Sequence, residues 1–156
     1  MKANLQFSIE PAEGLGDIKF GFTTEDVQRY LGPPDETEIV GPTAALWYYA
    51  RVRLQLIFQS DFFESAATIG EPMRITQFVT SSPAVTLAGM NIIGKTEIEV
   101  LKFLSERGYE GFVQWDISPV LEGYKTLRLE GMRIGLNFQD GLLNSMLWGA
   151  VRKVVP

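Results

Sequence analysis

Apolar side chains recur along the chain with two different periods. Around residues 27–31 and again around 100–104 they fall at i, i+3 and i+4: Val27, Tyr30 and Leu31, then Val100, Phe103 and Leu104. That spacing puts each trio on one face of a helix. Each stripe follows a threonine with an acid three residues on, Thr23 with Asp26 and Thr96 with Glu99. Such a hydroxyl accepts from an exposed amide of the first turn, while the carboxylate reaches back to the cap residue's own N–H. Two short capped helices are predicted, the first stopped by Gly32-Pro33-Pro34 and the second by Gly108.

Elsewhere the period is two. Val52, Leu54, Leu56 and Phe58 alternate with Arg53, Gln55 and Ile57, and Met132, Ile134, Leu136 and Phe138 alternate with Arg133, Gly135 and Asn137. Both read as strands with one buried face. Leu46-Trp47-Tyr48-Tyr49 and Thr126-Leu127-Arg128-Leu129 are predicted hairpin partners, joined through the two-residue turns Ala50-Arg51 and Glu130-Gly131. Further turns at Ser60-Asp61 and Asp140-Gly141 lead to last strands near 74–80 and 144–151.

These segments come in two copies. The run from Gly21 to Leu31 aligns with that from Gly94 to Leu104, sharing Gly, Thr, Val and Leu, and the preceding Gly16 aligns with Gly89. Both read G-x4-G-x-T-x-x-[DE]-V-x-x-[YF]-L. Val52–Gln59 aligns in the same order with Met132–Gln139. The predicted fold is therefore α+β: a single domain, 1–156, of two tandem repeats, 14–83 and 84–156. Each repeat is a helix followed by antiparallel strands, and together they make a helix-backed sheet.

The second copy raises a question of chemistry, because Gly89-Met90-Asn91-Ile92-Ile93-Gly94-Lys95-Thr96 satisfies the phosphate-loop pattern G-x-x-x-x-G-K-[ST]. Its counterpart, Gly16 to Thr23, keeps both glycines and the threonine but carries Phe22 where Lys95 stands. A turn into a capped helix accounts for the shared residues, and the bulky Met90–Ile93 run suits a core better than a loop converging on an anion. Gly94, Lys95 and Thr96 therefore support a nucleotide site only as the alternative reading.

Composition narrows the classes further. Hydrophobic residues make up 46% and charged residues 21% of the 156, enough to build a core. The net charge of −5 argues against a general nucleic-acid binder. There is neither cysteine nor histidine, which removes disulfides, thiolate chemistry and the commonest general base. Asp61, Glu64, Glu71, Asp116, Glu122 and Asp140 show no spacing that marks an acid–base pair. No catalytic residue, metal site or cofactor is expected. No run approaches the length of a membrane span, and the N-terminal residues lack a secretory pattern, so the expected location is cytoplasmic.

The pattern G-x4-G-x-T-x-x-[DE]-V-x-x-[YF]-L followed by antiparallel strands resembles the repeat of the beta-lactamase-inhibitor-protein-like (BLIP-like) fold. It is similar as well to the outer-membrane lipoproteins related to small protein A. It also resembles bacterial proteins that start G-x-G-x-I-K-F-G-x-T, here Gly14 to Thr23. The resemblance implies a sheet whose open face binds another protein. It departs from the secreted inhibitors, which carry disulfides, and from the lipoproteins, which carry an anchoring cysteine. A cytoplasmic immunity or inhibitor protein, bound to a toxin or enzyme, suits the chain better. Independently, alternation places Tyr48, Arg53, Gln55, Tyr124, Arg128, Arg133 and Asn137 away from the helices, and Tyr and Arg are residue types that anchor interfaces. A homodimer through strand edges is the third reading.

Overall fold

The computed structural model describes residues 7–60, 72–115 and 122–150, with the backbone alone for Trp115 and Glu130. Asp61, Glu64, Glu71, Asp116 and Val151 lie outside these residues. Two strand systems share one core. A small sheet has the order β3-β2-β1-β8, built from β1 (Ser8–Glu10), β2 (Gly14–Leu15), β3 (Ile18–Lys19) and β8 (Thr86–Leu87), with β1 and β8 parallel. The main sheet has eight antiparallel strands in the order β4-β5-β6-β7-β12-β11-β10-β9. Its first half is β4 (Glu36–Ile39), β5 (Ala44–Tyr49), β6 (Leu54–Gln59) and β7 (Arg74–Thr80). Its second half is β9 (Val113–Trp115), β10 (Tyr124–Leu129), β11 (Ile134–Gln139) and β12 (Leu142–Gly149). Two α-helices are found among the described residues, α1 (Thr24–Leu31) and α2 (Glu97–Ser105).

This corrects the expected α+β, helix-backed architecture. Among the described residues, strand accounts for 46% and helical turns for 18%, so the fold is sheet-rich. The reason is visible in the burial. Helix α1 buries only Val27 and Leu31, and α2 only Val100, Phe103 and Leu104. At roughly 1.5–3 kcal/mol per fully buried side chain, helices this short contribute the lesser share of the core. Sheet residues contribute most of the rest: Leu54, Leu56, Phe58, Phe78, Ile134, Leu136, Phe138, Met146 and Trp148 are all about 1% exposed or less. Ile9, Leu15, Ile18 and Leu87 of the small sheet join the same cluster. The helices and the small sheet therefore lie together on one side of the main sheet.

The hairpins also differ from expectation. Tyr49 stands opposite Leu54 and Trp47 opposite Leu56, where a two-residue turn would have matched Tyr49 with Val52. Residues 50–52 form a single 3-10 turn, closed by Arg53 in the left-handed region at φ 47°. The second hairpin repeats this at 130–132, closed by Arg133 at φ 53°. Each tip is thus two residues longer than expected on one strand. An even shift leaves every side chain on its expected face, but it removes both arginines from the strands.

The recurrent glycine–threonine turn has a definite job. Strand β7 carries a bulge opposite Ile57/Phe58, and β12 carries one opposite Asn137/Phe138. Just beyond the bulge, Ile75 exchanges hydrogen bonds with the turn before α1: Gly21 N donates to Ile75 O at 3.0 Å and Ile75 N to Phe22 O at 2.9 Å. Before α2, Gly94 N donates to Leu143 O and Leu143 N to Lys95 O, both at 2.8 Å. Each helix entrance is stitched to the strand that the bulge frees, which fixes the helix over the core.

Candidate functional site

Directly opposed residues in a sheet share a face. The register therefore lays out the side of the main sheet turned away from the helices. One row crosses it as Glu36, Tyr48, Gln55, Val79, Leu147, Gly135, Arg128 and Val113. A neighbouring row carries Glu38, Leu46, Ile57 and Gln77. On the other flank lie Ser145, Asn137 and Thr126. Tyr48, Leu46, Gln55, Ile57, Val79, Leu147, Asn137 and Arg128 are all partly exposed. The face is a mixed surface of apolar and hydrogen-bonding groups, acidic at the β4 margin and basic near β10.

Five of the seven residues singled out from the sequence are distributed over three places on this surface, and Asn137 and Tyr124 lie apart from them. Tyr48 and Gln55 are cross-strand neighbours. With Glu36, Glu38, Thr37 and Leu46 they line a groove of about 500 Å³. Arg128 and Arg133 line a smaller cleft of about 150 Å³, with Gln77, Leu147 and Gly149. Arg133 packs on Gly149, where an added Cβ would stand 3.1 Å from its Nε, and donates to Ala150 O at 3.0 Å. Arg53 joins Tyr48 in a third depression, near Ser81, Pro83, Gly94 and Asn144.

Asn137 is committed to a polar ladder rather than offered outward. Thr126 Oγ1 donates to Asn137 Oδ1 at 2.9 Å, and Asn137 Nδ2 donates to Ser145 Oγ at 2.8 Å. Tyr124 opens β10 opposite Gln139 and is partly buried. Reasoning from sequence missed Glu36 and Glu38, because Glu36-Thr37-Glu38-Ile39 alternates without an apolar stripe. It also missed Val79 and Leu147, which period two could have placed once the strand neighbours were known.

The loop at 89–96 forms a helix-entry turn. Lys95 is exposed. Several amides in and just after this turn are already engaged: Gly94 N on Leu143 O, Lys95 N on Ile92 O at 3.1 Å, Glu97 N on Gly141 O and Glu99 N on Thr96 Oγ1, the last two at 3.3 Å. Ile92 is fully buried, anchoring the loop in the core. Glu97, at the start of α2, instead pairs with Lys125 of β10 at 2.8 Å.

No family model and no curated protein matches the chain. Solved structures do. A 1.5 Å crystal structure of an extracellular protein containing a SCP domain, from Bacillus anthracis str. Ames, aligns with a TM-score of 0.51 at 12% identity, over 96% of this chain and 49% of that one. The likeness is one of fold. The chain spans about half the length of that protein. A DUF4309 family protein, YjgB, from Bacillus subtilis subsp. subtilis str. 168 aligns with a TM-score of 0.49 at 16% identity, over 89% of this chain and 88% of that one. No helix among the described residues is long and apolar enough to cross a membrane.

Proposed function

We propose that the chain is a non-catalytic protein-binding module, of the immunity or inhibitor kind, that meets a partner protein with the open face of the main sheet. One observation carries this reading. Among the described residues, the main sheet packs its apolar core on one side, and the other side presents Leu46, Ile57, Val79 and Leu147 among Tyr48, Gln55, Gln77 and Arg128. A partly exposed apolar strip with tyrosine and arginine beside it has the composition of an interface centre. The Thr126–Asn137–Ser145 ladder stiffens one flank, so little ordering cost attends docking there. The reading places the protein in the cytoplasm with a toxin or enzyme as partner. Cell fractionation tests the location, since the similar Bacillus anthracis protein is described as extracellular.

Binding is tested by co-purification of a tagged chain from native extract. A stoichiometric partner that is retained by the unaltered chain and lost with Tyr48→Ala/Arg128→Ala, at unchanged thermal stability, is the expected result. A partner indifferent to that double substitution, or no partner at all, would overturn the reading.

A further inference from the structure

The end strand β4 offers a second kind of contact. Its four residues are all exposed, and β5 pairs with one side of it. Val40 N donates to Ala44 O at 3.0 Å. In an antiparallel pair the hydrogen-bonded residues alternate, so Glu36, Glu38 and Val40 turn their backbone groups toward β5. Thr37 and Ile39 therefore turn their N–H and C=O groups to the outer edge, which has no strand partner among the described residues. Ile39 is 78% exposed and Val40 55%, which puts two large apolar residues on this margin. An open edge of this kind is a template for one more strand.

Charge decides what that strand can be. Residues 30–50 contain no lysine or arginine, while Asp35, Glu36 and Glu38 cluster on the margin. Glu36 and Glu38 point to the open face, at the rim of the groove floored by Leu46 and Tyr48. Thr37 and Ile39 point to the opposite, core-side face, opposite Trp47 and Ala45. A second copy pairing β4 with β4 would bring like carboxylates together, which is unfavourable. We propose that β4 accepts an extended segment of the partner protein in which basic and apolar residues alternate. The basic side chains sit against Glu36 and Glu38 on the open face, and the apolar ones cover Ile39 on the other. The proposal rests on the protein-binding reading and names the chemistry of the partner's contact.

The test uses two synthetic ten-residue peptides, one alternating Lys and Val, the other Glu and Val. Amide hydrogen exchange is followed by NMR on the whole chain. The Lys/Val peptide is expected to slow exchange at Thr37 and Ile39 at least tenfold, with affinity falling as salt rises, and the Glu/Val peptide to do neither. Ile39→Pro deletes an outward N–H without touching the β5 ladder, and should abolish protection while Tm stays within a few degrees. Glu36→Gln/Glu38→Gln, whose two side chains are exposed, should weaken peptide binding at least fivefold. No protection at millimolar Lys/Val peptide would overturn the proposal, as would equal binding of both peptides. So would protection of Thr37 and Ile39 that appears without peptide as protein concentration rises, since a second copy would then be the occupant. If a co-purified partner depends on Tyr48 and Arg128 but ignores Ile39→Pro, the edge assignment alone fails. Should the peptide protect β4 while no partner depends on the face, the face reading alone fails.

Discussion

At the scale of the residue, Gly14 and Tyr49 show how much rests on single groups. Gly14 has φ 148°, and an added Cβ would run into the backbone carbonyl of Ile18 in the adjoining strand. Its own carbonyl receives the Trp148 Nε1–H at 2.9 Å, which ties the small sheet to the main one. Gly14→Ala must open the β2–β3 pair, and a loss of about 3 kcal/mol is expected from the strain and repacking together. Urea unfolding followed by tryptophan fluorescence measures it, and a loss below ~1 kcal/mol would show that the pair yields cheaply. Tyr49 is 5% exposed and donates to Gly32 O at 2.9 Å, bridging β5 to the end of α1. Burial, with Asp35 nearby as a lesser cause, pushes its phenol from 10 up to about 12. The neutral form is thus favoured in the folded state. Its contribution is complete below pH 10, declines as the unfolded phenol ionises, and is gone above pH 12. Unfolding midpoints between pH 10 and 12 should fall more steeply for the unaltered chain than for Tyr49→Phe. Parallel curves would remove Tyr49 as the cause.

At the scale of the element, what was legible in the sequence is what local chemistry dictates. Both helix entrances lie where Thr23 and Thr96 place them, and each threonine Oγ1 accepts from the amide three residues on at 3.3 Å. Only the first forms the reciprocal box, with Thr23 N donating to Asp26 Oδ2 at 3.0 Å. That backbone bond, then the Thr23 hydroxyl, holds the Asp26 carboxyl below its usual range. Thr23→Ala should therefore cost about 1 kcal/mol. The cap's own stabilisation is present above the ordinary carboxylate pKa and is lost as pH falls through Asp26's depressed one. Midpoints measured on both sides of pH 4 should show the Thr23→Ala deficit shrinking in acid. An unchanged deficit would mean the hydroxyl acts alone. The hairpin tips were not legible, because a left-handed arginine is paid for by its surroundings rather than announced by its type. The motif around Lys95 was legible in letters but not in use. With the Gly94 and Lys95 amides and those of Glu97 and Glu99 beyond them engaged, millimolar ATP should leave the melting temperature of both the unaltered chain and Lys95→Ala unmoved. A shift that disappears in Lys95→Ala would restore the nucleotide reading.

At the scale of the whole molecule, the open face followed from alternation, while the strand neighbours that assemble it did not. Nothing local in Ser8–Glu10 foretells a parallel partner at Thr86–Leu87, and the short β4 and β9 lack an apolar stripe; these pairings made the fold sheet-rich where helix-backed packing was expected. The least local contact carries the most weight. The halves of the main sheet meet through β7 and β12, where Phe78 opposes Trp148 and their rings stack at 5.2 Å and 14°. Phe20, from the turn before α1, leans on Phe78 at 5.2 Å. Trp148 thus touches the seam and the small sheet at once, with no exposure at all. A core continuous through that seam should melt as one unit, so fluorescence and far-ultraviolet dichroism should trace coincident transitions. Trp148→Phe keeps most of the ring volume but drops the bond to Gly14, and a cost of about 1–3 kcal/mol with cooperativity intact is expected. Trp148→Ala opens a cavity at the junction, with an expected cost of about 3–5 kcal/mol. If the seam joins the halves, the alanine variant should also lose coincidence, its dichroism lagging behind fluorescence as one half of the sheet outlasts the other. Coincident curves at that level of destabilisation would instead place the cooperative link in the shared core beneath the sheet, through Leu15, Ile18 and Ile92.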